Sequence, residues 1–154
     1  MDLTAALMSL ATSVPPHLFH QKQVLEAARS ILAHRYRQFE TLASLFANTG
    51  IRHRYGVKPI EWYLEPRGWP ERTNAFLDGA EALFITVAQD AIARASLATN
   101  DVDTVVTVCS TGIATPTLEA RLAGKMGFRR MSRACRCLAS DAPAASRACR
   151  SRHG

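Results

Sequence analysis

Apolar residues recur at helical spacing twice in the first third of the chain. Val24, Leu25, Ala28 and Leu32 fall near one face of a helix predicted over residues 20–33. Phe39, Leu42, Leu45 and Phe46 do the same over residues 38–47, and Asn48-Thr49-Gly50 ends that run. Ahead of both, residues 3–12 are apolar and are stopped by Val14-Pro15-Pro16. A first strand is expected there, although the Ala and Leu content also permits a helix. Residues 51–57 alternate apolar and basic side chains and read as a short strand. Residues 59–69 are turn-rich, with two tryptophans expected to pack against the body of the domain.

The sharpest helical pattern covers residues 74–98. Phe76, Ala80, Leu83, Val87 and Ala91 form one stripe, flanked by Phe84, Ala88, Ile92 and Ala95. So wide an apolar arc predicts a deeply packed helix. Gly79 inside it costs about 1 kcal/mol against Ala, which points to close approach of another element. Thr99-Asn100-Asp101 turns the chain into the next strand.

Residues 104–109 are almost wholly β-branched, as in a strand covered on both faces. Ser110-Thr111-Gly112 ends it with two hydroxyls and a flexible backbone. Thr115 can cap a helix that starts at Pro116, where the missing N–H costs nothing. Leu118, Leu122 and Met126 share one face of it, and Gly127 can supply a left-handed stop. In open α/β sheets ligands gather at the carboxyl ends of strands, so Ser110 and Thr111 stand where chemistry is usually placed. The alternative is an ordinary crossover whose hydroxyls only satisfy the turn.

Composition adds little until the charge is located. The chain has 154 residues, 47% of them hydrophobic, enough for one domain with a core. No run is long enough to cross a bilayer, and Met1-Asp2-Leu3-Thr4 lacks a basic leader region. A cytoplasmic protein with reduced thiols is expected. The net charge of +6 belongs to the end of the chain, because residues 129–154 carry seven Arg and one acid, Asp141, whereas charges cancel over 1–128. Cys135, Cys137 and Cys149 lie in the same tail.

Three stretches resemble one family. VCSTGIATPTLEARLAGKMGF (108–128) is similar to the strand, turn and helix before the nucleophile in type III polyketide synthases, the chalcone and stilbene synthase family. LMSLATSVPPHLFHQ (7–21) is similar to the opening of bacterial members, and FANTGIRHRYGVKPIEWYLE (46–65) to their GI-x-x-R segment. The resemblance runs in order from about Leu7 to Arg129. It implies an α/β, thiolase-like (αβαβα) fold, of which residues 1–128 are an incomplete N-terminal half. It also implies decarboxylative Claisen condensation of an acyl-CoA starter with malonyl-CoA by a homodimer, with no metal or other cofactor. By resemblance, Ser110 and Thr111 line the acyl and polyketide cavity. Thr115 matches a position that reaches across the dimer interface toward the partner's pocket. The helix before the GI turn, where the family binds coenzyme A phosphates, has no Lys or Arg over residues 41–48. Arg52, Arg54 and Lys58 are nearby candidates for that role, and a solvated basic edge is the plainer reading of them.

In the family a cysteine in a G-x-G-C-A-G-G turn attacks the acyl-CoA, and a later histidine and asparagine activate it and stabilise the enolate. That division suits a thiolate, which needs a polarising setting, and an enolate oxygen, which needs fixed donors. No such motif is present. The nucleophile is expected near Asp141 and Ala142, within ASDAPAA, and no His and Asn in the family's positions come after it. Cys109, at the end of a strand, reads as a structural thiol rather than a substitute.

The tail MSRACRCLASDAPAASRACRSRHG looks like a GC-rich gene read out of frame. Synonymous codons chosen for residues 131–153, preceded by the last G of an Arg130 codon, carry DVSRVPVFGLGCAGGVSGLSIAS in the neighbouring frame. That string includes the missing motif. Residues 129–154 are therefore expected to be out of frame and disordered, and the chain itself inactive. Other readings of the tail are weaker. Cys135, Cys137, Cys149 and His153 match no standard zinc spacing, and no metal is expected. Seven arginines can bind nucleic acid by charge, which would make this a small domain with a basic nucleic-acid-binding tail. Neither a nucleic acid nor a membrane is the expected partner. A ketoacyl synthase III-like condensing enzyme, which shares the fold and the cysteine, is the nearest enzyme alternative.

Overall fold

The computed structural model describes residues 5–112 and 114–128, and the backbone of 133–138. The order of elements is β1 (His17–His20), α1 (Gln21–Leu32), α2 (Phe39–Asn48), β2 (His53–Gly56), α3 (Ile60–Leu64), α4 (Trp69–Arg94), a short 3-10 turn (Thr99–Asp101), β3 (Thr104–Cys109), α5 (Leu118–Met126) and β4 (Arg133–Leu138). The chain divides into two compact units. One is Val14–Ala75; the other joins Met1–Ser13 to Phe76–Gly154.

In the contiguous unit, β1 and β2 pair antiparallel, with His17 opposite Gly56 and His20 opposite His53. Gln23 closes the first turn of α1 by accepting the His20 backbone N–H at 3.0 Å. Arg29 fixes α1 to α2 by gripping both carboxylate oxygens of Glu40 at 2.9 and 3.1 Å. α2 buries Phe39 and Ala43, and Gly50, at φ +69°, provides the left-handed exit. β2 approaches β1 so closely that a Cβ at Gly56 would lie 2.5 Å from the Phe19 ring. Both helices and β2 match the periodicity of the sequence to within a residue or two, whereas β1 lies beyond the residues 3–12 expected to form the first strand. α3 was not expected inside the turn-rich stretch. Trp62 on it is half-buried, but Trp69 is 67% exposed, so only one tryptophan packs as predicted.

In the second unit, residues 5–12 form neither strand nor helix. They are tied down instead by the Ser9 hydroxyl, which donates to the Ala91 carbonyl at 2.7 Å, and by Arg94, which donates to the Leu10 carbonyl at 3.2 Å. α4 starts at Trp69 rather than at residue 74 as predicted, because Glu71 accepts the Gly68 N–H at 3.0 Å and Pro70 is harmless in a first turn. It ends early as well, where Ser96 turns to φ +56°. Its stripe residues, Phe76 to Ala91, are half-buried rather than deeply packed.

α5 also begins later than expected. The Thr115–Pro116 peptide is cis, and Thr117, with extended φ and ψ, takes the N-cap position. Its inward face is as predicted, with Leu122 at 0% and Met126 at 6% exposure, and Gly127 caps it at φ +70°. Glu81 of α4 clasps this helix through Arg121 and Lys125, both at 2.6 Å.

β3 differs from the two-faced burial expected. Val106 and Val108 are 52% and 67% exposed, so one face is covered and the other is not. β4 pairs with β3 in parallel, from Thr104 opposite Arg133 to Cys109 opposite Leu138. These six residues fall within the stretch expected to be disordered. An available strand edge and a segment free of Pro and Gly are enough to form the ladder. The rest of that stretch lies outside the described residues.

Candidate functional site

The carboxyl end of β3 carries the residues that the sequence singled out. Cys109 closes the strand, and its sulfur accepts the Thr111 N–H at 3.4 Å. It forms no disulfide and is half-buried rather than buried. Ser110, Thr111 and Thr115 are exposed, whereas Ala114 is buried. Gly112 is held against α4: a Cβ there would stand 2.5 Å from Cδ1 of Phe76. No larger residue fits without displacing the ring.

Beside the turn lies a cavity of about 340 Å³, lined by Phe76, Ala80, Phe84, Cys109, Gly112 and Leu118 among others. Its walls are apolar. Cys109 and Gly112 reach it, while Ser110 and Thr111, between them in sequence, do not line it. On the strand, the Thr107 hydroxyl donates to Oε1 of Glu119. Glu119 is only 3% exposed, and its Oε2 has no hydrogen-bond partner among the described residues. The sequence reading missed this carboxylate. An acid one position after Leu118, next to the apolar face of α5, was the available signal. The arrangement can offer an apolar chamber to an acyl group, with the exposed Ser110 and Thr111 hydroxyls beside it rather than in its wall. Among the described residues no base is hydrogen-bonded to Cys109.

The three basic candidates do not act as one cluster. Arg54 alone lines a second apolar cavity of about 430 Å³, with Phe19, Val24, Ile31 and Tyr63. Its Nε donates to Gln21 Oε1 at 2.9 Å, and its guanidinium lies 6.0 Å from the Phe46 ring centroid. Arg52 offers its carbonyl to the Gln21 N–H at 2.9 Å. The Lys58 N–H donates to the Tyr63 hydroxyl at 3.4 Å. Asp141, Ala142, Cys149 and His153 lie outside the described residues, and Cys135 and Cys137 are described only as backbone in β4. Among the described residues no group of three or more potential ligands is placed to hold a metal, and no helix is long and apolar enough to cross a membrane.

No protein-family model matches the chain. Comparison with known proteins finds the 1,3,6,8-tetrahydroxynaphthalene synthase of Streptomyces coelicolor, 35% identical over 124 residues, which are 80% of this chain and 33% of that protein. The crystal structure of this bacterial type III polyketide synthase superposes with a TM-score of 0.76 at 32% identity, covering 91% of this chain and 42% of the other. CsyB complexed with CoA-SH gives the same TM-score at 20% identity, covering 92% and 39%, which speaks for the fold alone. The homologues of this chain are type III polyketide synthases, and the fold is the thiolase-like one in part. The chain spans about a third of the length of the curated relatives it matches.

Proposed function

We propose, from the homology of this chain to type III polyketide synthases, that it is the amino-terminal part of such an enzyme, an acyltransferase joining an acyl-CoA starter to malonyl-CoA. The observation that carries this reading is the 35% identity over 124 residues to a tetrahydroxynaphthalene synthase. In the complete enzyme a cysteine thiolate attacks the starter thioester and coenzyme A leaves. Malonyl-CoA then loses carbon dioxide. The resulting enolate attacks the enzyme thioester and releases the thiolate. Ser110 and Thr111, exposed beside the cavity of about 340 Å³ and outside its lining, contribute to the acyl chamber only once the rest of the complete enzyme closes over the turn, and Thr115 belongs to the interface of a cytoplasmic homodimer. Arg54, beside a cavity, is the strongest of the three candidates for coenzyme A phosphates; Arg52 and Lys58 are weaker. Substrates are coenzyme A thioesters, and no further cofactor is needed.

On this reading the 154-residue chain is inactive, because Asp141 and Ala142 stand where the nucleophile belongs. A shift of frame near Arg130 accounts for both the tail and the missing motif. Sequencing the genomic DNA across codons 129–131 and downstream is the test. The neighbouring frame should encode G-x-G-C-A-G-G and later the His and Asn; a neighbouring frame without them sinks the idea. The protein with its frame rejoined should release carbon dioxide from malonyl-CoA, and the present chain should release none. Turnover by the present chain would overturn the account.

A further inference from the structure

Three arginines from separate places in the contiguous unit converge on one concavity. Arg35 lies just beyond α1, Arg67 just beyond α3, and Arg72 in the first turn of α4, and together they line a space of about 430 Å³. Ile31, Trp62 and Pro66 give it an apolar wall. The volume falls within the range of roughly 300–1,000 Å³ usual for small-molecule sites.

Arg67 is spent on the protein itself. Its Nε donates to the Trp62 carbonyl at 3.1 Å, its Nη2 meets Glu65 at 2.5 Å, and its guanidinium lies 4.9 Å from the Trp62 ring centroid. Among the described residues Glu65 is the one carboxylate lining the space. Arg35 and Arg72 have no carboxylate partner among the described residues; Arg72 rests on the Trp69 ring at 5.6 Å. Two unneutralised guanidiniums therefore share one concavity. Each presents five N–H donors in a planar fork that suits phosphate oxygens. Held together they repel, and a doubly charged anion removes that repulsion.

We propose that this concavity binds a phosphate monoester carried on a flat apolar body, that is, a nucleotide. The phosphate takes Arg35 and Arg72, and the base lies along the wall made by Ile31, Trp62 and Pro66. Arg67 and Glu65 keep that wall in place. The site stands within residues 14–75 and is independent of the turn after β3.

Of the chain's two tryptophans, Trp62 lines this site and Trp69 carries the Arg72 guanidinium on its ring, so intrinsic fluorescence reports on it. The full chain at low micromolar concentration is titrated with adenosine monophosphate, adenosine and inorganic phosphate. Adenosine monophosphate should give a saturable change, with the other two binding at least tenfold more weakly. Arg35→Ala and Arg72→Ala should each weaken binding about tenfold or more, and Arg37→Ala, exposed and outside the concavity, should not. Arg35→Lys keeps the charge without the fork and should fall between. Circular dichroism of each variant separates lost binding from lost structure. Absence of a saturable signal overturns the proposal, as does equal binding of phosphate or adenosine alone, or an equal loss in Arg37→Ala.

Discussion

Gly112 and the Phe76 ring occupy the same space that a single methyl group would need. A Cβ on Gly112 would lie 2.5 to 2.7 Å from three ring carbons, nearer than any relaxed contact. Gly112→Ala should therefore destabilise the chain by about 1–3 kcal/mol through overpacking. Gly124 is the internal control: a Cβ there meets nothing within 4 Å, and it sits inside α5. Gly124→Ala should be stabilising by about 0.5–1 kcal/mol. Urea melts monitored by circular dichroism compare the two, and equal midpoints would refute the packing account.

Glu81 should set an acid limit on the unit that holds the turn. Lys125 first, then Arg121, hold its carboxyl below the ordinary value of 4.5 by hydrogen bonding to the ionised form. A carboxyl that ionises more readily when folded stabilises the fold wherever it is charged. The contribution is fully present above 4.5 and is lost as pH falls through the lowered value of the folded state. Glu81→Gln should lower the urea midpoint at neutral pH and flatten its dependence on pH below about 4.5. A variant with the native acid profile would show that the clasp contributes nothing.

Val106 and Val108 leave an apolar strip on β3, at 52% and 67% exposure. Such strips drive association of chains. The 154-residue chain should scatter light at concentrations where Val106→Thr with Val108→Lys stays clear. Circular dichroism of the double variant should be unchanged. A parent chain that remains monomeric and melts sharply would contradict this.

Much of the local structure was legible because its causes are local. The spacing of Val24, Ala28 and Leu32, the Asn-Thr-Gly stop after α2 and the left-handed Gly127 all depend on near neighbours. The exposed face of β3 was not legible. β-branching shows that a strand suits the segment, not what will cover it. The start of α5 was misplaced because Thr115-Pro116 has the composition of a cap leading into a first turn, whereas Thr117 takes the N-cap position. Glu119 and the trio Arg35, Arg67 and Arg72 escaped notice for a different reason. Their significance lies in burial and convergence, which spacing along the chain does not encode.

The bonds from Ser9 to Ala91 and from Arg94 to Leu10 span 82 and 84 positions. During synthesis Ser9 and Leu10 thus cannot make these bonds until α4 has left the ribosome, whereas both strands of the β1–β2 pair and the Arg29–Glu40 ion pair lie within residues 14–75. The middle of the chain can mature first, and the two ends close a long loop afterwards. A nascent polypeptide whose residues 14–75 had just emerged from the ribosome would already hold the β1–β2 pair, while Ser9 and Leu10 waited for sequence still to emerge.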